Sequence, residues 1–217
     1  MNAELQNVFL GKGSRKSQGL YLVCLFTFFM ACLGITQLLF PGGYVWTERF
    51  ISEEGNHVKN PIGWVFFTIG VCTSAILIMS QSVYIYRHLQ PKVLLLSRIN
   101  LFFLLVGSVG LFIVGAISEE HDLPHNIGSA MAFGGFGFGA FCSFLISIRR
   151  LFLKEPWPTF LQFLILFSIL LTLGIIVGIG MATHPASETQ RFQWTGLWII
   201  MIYYFGMYLI IPDDKKL

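Results

Sequence analysis

Six long apolar runs constrain the fold of this 217-residue chain more than any other feature of its sequence. They cover residues 20–40, 64–86, 100–118, 127–148, 160–183 and 194–211, and none of them contains Asp, Glu, Lys, Arg or His. A helix needs roughly 20 apolar residues to cross the hydrocarbon core of a bilayer. We therefore expect an all-α polytopic membrane protein, in which residues 1–217 form a single domain, a bundle of six transmembrane helices.

The composition agrees with this expectation, because 55% of the residues are hydrophobic and only 12% are charged. Soluble chains carry about 25% charged residues. The composition argues against a nucleic-acid-binding protein, a secreted disulfide scaffold and a soluble enzyme. All four cysteines lie within the apolar runs, where a thiol behaves as a small hydrophobe.

Lysine and arginine are distributed unequally between the two sides of the predicted membrane. Eleven of the fourteen lie near the termini or in the loops after the second and fourth runs. The other three are Arg49, Lys59 and Arg191. Because short cytoplasmic loops carry the excess of basic residues, the bias predicts that both termini are cytoplasmic.

The opposite, outer side holds most of the acids and histidines. The acids there are Glu48, Glu53, Glu54, Glu119, Glu120, Asp122 and Glu188. The histidines there are His57, His121, His125 and His184. Each outer loop contributes at least one histidine and one acid, and this pattern predicts a polar vestibule outside the cytoplasm.

Similar residues recur in the outer loops at a nearly constant spacing. Ser-Glu occurs at residues 52–53, again 66 residues later, and a third time 69 residues after that. A two-helix unit used three times in one orientation would produce this period. Three hairpins of similar length would also produce it without any repeat, and both interpretations stay open.

The outer histidines could form a metal site, because imidazole and carboxylate groups are ligands that zinc accepts. The candidate ligands are His57, His121, His125, His184 and Asp122. With an open position for water, such a site would support hydrolysis, and the candidate catalytic residues are then Glu119, Glu120, Ser52 and Ser118. The alternative is that histidines and acids occur in these loops only because the loops are exposed to water. Pro124 favours this alternative, because it should start the next helix and so separate His121 from His125.

Small residues form a dense run in the fourth apolar segment. Gly134, Gly135, Gly137 and Gly139 lie there, and Gly135 and Gly139 are spaced for close helix packing. Alternatively, the same small residues could form a groove that holds a lipid. No apolar run offers the buried ionisable group that ion pumps and proton-coupled transporters place near the bilayer centre.

Short motifs in the outer loops resemble the six-span Frag/DRAM/Sfk-like superfamily. The motifs are Ser52, Glu53 and Gly55 followed by Pro61, His125 after Glu119-Glu120, and Gln193-Trp194. Glu53 stands where an aspartate is expected, and the third outer loop matches poorly. Relatives in that superfamily are linked to lipid remodelling of GPI anchors, to autophagy and to phosphoinositide organisation. The resemblance implies a membrane-embedded, lipid-associated role with its polar face outside the cytoplasm, and it implies no particular reaction.

The sequence thus predicts a lipid-associated integral membrane protein with an organising or accessory role. Its expected partners are membrane lipids and, as a second class, other membrane subunits, but no nucleic acid. The alternative is a metal-dependent hydrolase or transferase that acts on lipid or lipid-linked substrates at the outer interface, with zinc as the candidate cofactor. Whether the chain is an enzyme stays open at this stage.

Overall fold

A computed structural model describes residues 3–89, 93–152, 157–183 and 190–211 of the chain. Seven α-helices follow one another in this part of the chain. They are α1 (Ala3–Phe9), α2 (Arg15–Leu38), α3 (Trp64–Leu89), α4 (Leu94–Ala116), α5 (Asp122–Phe152), α6 (Trp157–Thr183) and α7 (Gln190–Ile210). A short 3₁₀ helix, Ile51–Gly55, lies between α2 and α3. No strand occurs among the described residues, and the all-α prediction is confirmed.

Each of the six apolar runs lies largely within one of the helices α2 to α7. Within the described residues, four helical segments are long and apolar enough to cross a membrane: Arg15–Leu38, Trp64–Leu89, Leu94–Ala116 and Asp122–Arg149. α6 contains a shorter apolar segment, Leu164–Ile175. These lengths and compositions are those of an integral membrane protein.

Consecutive helices pack as antiparallel hairpins, and the pair α4–α5 makes the most extensive contact. Small residues allow this, because a Cβ atom at Gly135 would overlap the backbone of Gly107 across the interface. A Cβ at Gly139 would meet the side chain of Leu104. At Gly134 and Gly137, by contrast, a Cβ would meet nothing within 4 Å. The small-residue run therefore has one face against α4 and another face open.

α7 packs mainly on α6 and also contacts α2, α3 and α5. Two of its hydroxyl groups are buried and paired: Tyr204 bonds with Ser82 of α3, and Tyr203 bonds with Ser143 of α5, both at 2.8 Å. Asn100 of α4 donates to Ser143 Oγ at 2.9 Å. Because an unpaired polar group in an apolar interior is costly, these bonds favour one alignment of α7 against its neighbours.

The short helix α1 packs across α2 and α3 at the end of the bundle that carries the N terminus, which we call the basic end. The carbonyl of Val8 accepts hydrogen bonds from Gln18 Nε2 at 2.9 Å and from Ser80 Oγ at 2.7 Å. Arg15 donates to the carbonyl of Leu209 at 3.0 Å, near the last turn of α7. A cation at a helix C terminus is favourable, and this bond joins the first and last long helices.

The close approach of α4 and α5 makes a specific prediction about two neighbouring glycines. We expect Gly135→Ala to lower the stability of the purified protein by about 1–3 kcal/mol, because the added methyl group meets backbone that cannot rotate away. Gly137→Ala should leave stability unchanged or raise it slightly, because alanine favours helix by up to about 1 kcal/mol. Thermal melting of both variants in one detergent measures the difference. Equal melting temperatures would contradict the packing described here.

Candidate functional site

The other end of the bundle, which we call the acidic end, is formed by three parts of the chain. They are the α2–α3 connection (residues 39–63), the short α4–α5 turn (residues 117–121) and the first turns of α5 and α7. Among the described residues, the outer-side residues singled out in the sequence all lie here. His184 and Glu188 lie outside the described residues.

A cavity of about 760 Å³ lies at this end between the α2–α3 connection, α5 and the start of α7. We call it the α5–α7 cavity. Its lining residues are Phe50, Ser52, Asn56, Lys59, Glu119, Glu120, Asp122, His125, Asn126, Ser129, Ala130, Phe133, Phe192 and Gln193. Polar groups and aromatic rings therefore share one space that is large enough for a small molecule.

Glu119 holds the wall of this cavity together. Its carboxylate accepts hydrogen bonds from Ser52 Oγ at 3.0 Å, Asn56 Nδ2 at 3.1 Å and Lys59 Nζ at 2.8 Å. Partial burial lowers the pKa of Lys59, but the hydrogen bond and charge of Glu119, together with the charge of Glu53, outweigh burial and raise it. One carboxylate thus joins the α4–α5 turn to three positions of the α2–α3 connection.

Local turn chemistry places these donors. The side-chain oxygen of Asn56 accepts from the backbone N–H groups of Val58 and Lys59, at 2.9 and 2.8 Å. Asparagine stabilises turns in this way, and its remaining amide hydrogens are left free to reach Glu119. Asn60 is buried and donates to the carbonyl of Glu54 at 3.1 Å. The connection is therefore built around the side chains of two asparagines, Asn56 and Asn60.

His125 lies in the first turn of α5 and is only 6% exposed. Its Nδ1 lies 2.8 Å from the carbonyl oxygen of Ile117. Because a carbonyl oxygen only accepts, Nδ1 carries the hydrogen and Nε2 of the neutral ring carries a lone pair. The ring lines the α5–α7 cavity.

His57 and His121 line a second cavity of about 480 Å³, together with Ser118 and Pro124. His57 Nε2 lies 3.4 Å from a carboxylate oxygen of Glu120. The structure thus places His57 and His121 on one cavity and His125 on the other. Within the described part of the chain, no three His, Cys, Asp or Glu side chains converge as metal ligands. A zinc site that includes His184 stays a prediction.

The candidate catalytic residues divide in the same way. Ser52 and Glu119 are in direct contact on the α5–α7 cavity, whereas Ser118 lines the second cavity. The hydroxyl of Ser118 is buried and has no hydrogen-bond partner among the described residues. Glu120 lines the first cavity and faces His57 of the second. Ser118 and Ser52 therefore do not share one site.

An apolar pocket of about 60 Å³ lies beside the α5–α7 cavity, towards the interior of the bundle. The two spaces share Ser52, His125, Ser129, Phe133 and Gln193. The deeper pocket adds mostly apolar side chains, namely Phe29, Ile51, Phe67, Val71, Leu111, Val114, Ala132, Leu197 and Ile200. The site is thus polar at the surface and apolar below.

Glu54 is a buried carboxyl group that sequence reasoning counted only as one more outer acid. It is 0% exposed, and Gln37 Nε2 donates to its Oε1 at 2.9 Å. Its Oε2 has no hydrogen-bond partner among the described residues. Burial raises the pKa of Glu54 to about 8, although Gln37 and Tyr44 act in the opposite direction. The amide Gln37, near the end of an apolar run, was the one sequence signal that could have indicated a buried partner.

Comparison with known proteins gives no match for this chain, either to a family model, to a curated protein or to a solved structure. The resemblance to the Frag/DRAM/Sfk-like superfamily therefore stays a prediction.

The buried carboxyl of Glu54 predicts that stability falls as the pH rises. Folding raises its pKa from 4.5 to about 8, so the folded state binds the proton more tightly than the unfolded state does. The stabilisation is complete below pH 4.5 and is lost as the pH rises through 8. Glu54→Gln stays neutral, so at pH 9 it should melt at a higher temperature than the parent protein. Its melting temperature should also depend less on pH between pH 5 and pH 9.

Thermal melting across this pH range provides the measurement. The matched control is Glu48→Gln, because Glu48 lies on the same connection but is exposed. The control should keep the pH dependence of the parent protein. A Glu54→Gln variant with an undiminished slope would show that another group controls the stability.

Proposed function

We propose that the chain is a lipid-associated integral membrane protein whose α5–α7 cavity receives the polar headgroup of a membrane lipid. The observation that carries this proposal is that the cavity shares five lining residues with an adjacent apolar pocket. A lipid has the same division, with a polar headgroup joined to apolar chains. A purely polar ligand would leave the apolar lining without a partner.

The surface of α5 below the cavity supports a lipid as the ligand. Phe133 lines the cavity and is 42% exposed, and Phe138 and Phe141 continue along α5 as exposed rings. Gly134 and Gly137 leave open space beside these rings. An acyl chain could lie along this surface, because flexible hydrocarbon fills such gaps and small residues allow close approach.

We further propose that α6 and α7 complete six spans and that the acidic end lies outside the cytoplasm. α6 and α7 pack antiparallel, since Gly180 approaches Phe192 and Gly206 approaches Leu166. The buried tyrosines of α7, Tyr203 and Tyr204, bond with serines of neighbouring helices. This fits a membrane span, because hydroxyl groups in a membrane interior need a protein partner. Lysine and arginine are concentrated on the side of the predicted membrane that carries the N terminus, and this supports cytoplasmic termini.

Filling the cavity tests the proposed function. Ala130 lines the cavity, and Ala130→Trp should displace the headgroup by occupying its space. We expect the purified variant to retain several-fold less bound phospholipid than the parent in native mass spectrometry. Ala31→Trp is the matched control, because Ala31 is exposed on α2 and lines neither cavity.

The control should retain as much lipid as the parent protein does. Unchanged lipid binding by a folded Ala130→Trp variant would overturn the assignment of the cavity to lipid. Thermal melting of each variant confirms that the comparison is made between folded proteins.

A further inference from the structure

Hydrogen-bond acceptors dominate the charged lining of the α5–α7 cavity. Glu119, Glu120 and Asp122 contribute carboxylates, and Lys59 is the one cationic side chain among the described lining residues. Lys59 is already paired, with Nζ 2.8 Å from Glu119 and 3.5 Å from Glu53. The carboxylates exceed the cation by 3 − 1 = 2 negative charges, with histidine counted as neutral. The cavity therefore favours a ligand that brings positive charge and N–H donors.

His125 adds an acceptor that is independent of the acids. The ring is nine-tenths buried, and its Nδ1–H is used by the carbonyl of Ile117. The ring lines the cavity, and no hydrogen bond to its Nε2 is seen among the described residues. In the neutral ring this atom can only accept a hydrogen bond, so it needs a donor from the ligand or from water.

We propose that the cavity selects lipids with a primary ammonium headgroup, that is, aminophospholipids of the phosphatidylethanolamine class. This inference rests on the proposed lipid-binding function and names the class of lipid. The ammonium group presents N–H donors and a positive charge, which suit the carboxylates of Glu120 and Asp122 in the lining of the cavity. The neutral amides Asn126 and Gln193 line the same cavity and can donate to the phosphodiester.

Other ligands match this lining less well. A choline headgroup has no N–H and would bind through aromatic faces, so it cannot donate hydrogen bonds to the carboxylates of the lining. An anionic headgroup such as phosphatidylglycerol would face the excess of carboxylates. A divalent cation needs converging oxygen ligands, and no three acidic or histidine side chains converge within the described residues.

The test measures which lipid the full-length protein retains. Delipidated protein in detergent is incubated with an equimolar mixture of phosphatidylethanolamine, phosphatidylcholine and phosphatidylglycerol that have identical acyl chains. Native mass spectrometry then counts each bound lipid. We expect phosphatidylethanolamine to be enriched about tenfold over the other two, which is the effect of one or two charge-assisted hydrogen bonds.

The variants Glu120→Gln and Asp122→Asn, singly and together, remove the negative charges but keep the side-chain shapes. The preference of the double variant for phosphatidylethanolamine should fall about tenfold, to near one. Glu48→Gln is the control, because Glu48 is an exposed acid at the same end that does not line the cavity. It should keep the full preference.

A second arm distinguishes a lipid from a free amine as the source of the ammonium group. Short-chain dihexanoyl-phosphatidylethanolamine should raise the melting temperature of the protein, whereas ethanolamine at the same concentration should not. Equal stabilisation by ethanolamine alone would overturn the assignment to a lipid headgroup.

The remaining outcomes separate this inference from the function on which it rests. Retained lipid with equal amounts of the three classes, or with phosphatidylcholine or phosphatidylglycerol in excess, would overturn the ammonium selectivity and leave lipid binding intact. A preference that survives in the folded double variant would also overturn it. No retained lipid of any class would contradict the proposed function itself.

Discussion

The close approach of α4 and α5 is the constraint on which the acidic end depends. Gly107 and Gly135 bring the two backbones together, and a turn of only a few residues then joins the helices. This turn carries Ser118, Glu119 and Glu120. Because the hairpin is rigid where its backbones touch, the turn is held at a defined position relative to α3, on which α4 also packs. A looser hairpin would leave Glu119 without fixed partners.

Glu119 binds the longest connection in the described chain to the α4–α5 turn. Ordering a segment of more than twenty residues costs conformational entropy. Three side-chain hydrogen bonds to the carboxylate of Glu119 restrict this segment. The same residues line the α5–α7 cavity. The residues that bond to Glu119 therefore order the connection and also form the wall of the proposed lipid site. A ligand in the cavity would contact groups that are already positioned.

Much of the fold follows from the sequence, because apolar runs of helical length leave few alternatives in a membrane. The pairing inside the bundle was harder to foresee. The small-residue run predicted close packing of its helix but not which glycines face α4, since Gly134 and Gly135 differ by one position and have opposite surroundings. The histidines show the same limit. Sequence reasoning could group His57, His121 and His125 on one side, but their division between two cavities depends on how the α2–α3 connection folds over the turn.

Glu54 was the least predictable residue of the acidic end, because its surroundings come from distant parts of the chain. Gln37 lies in the last turn of α2. Tyr44 lies in the connection after that helix and packs edge-on against Trp194 of α7, with ring centroids 6.1 Å apart. The protonated carboxyl thus lies where the connection meets α7, while Ser52, two residues earlier, lines the cavity. Ionising Glu54 would place a charge beneath the cavity wall without a basic partner in direct contact. Because a buried charge without a partner is costly, ionisation of Glu54 should destabilise the same 3₁₀ helix that carries Ser52.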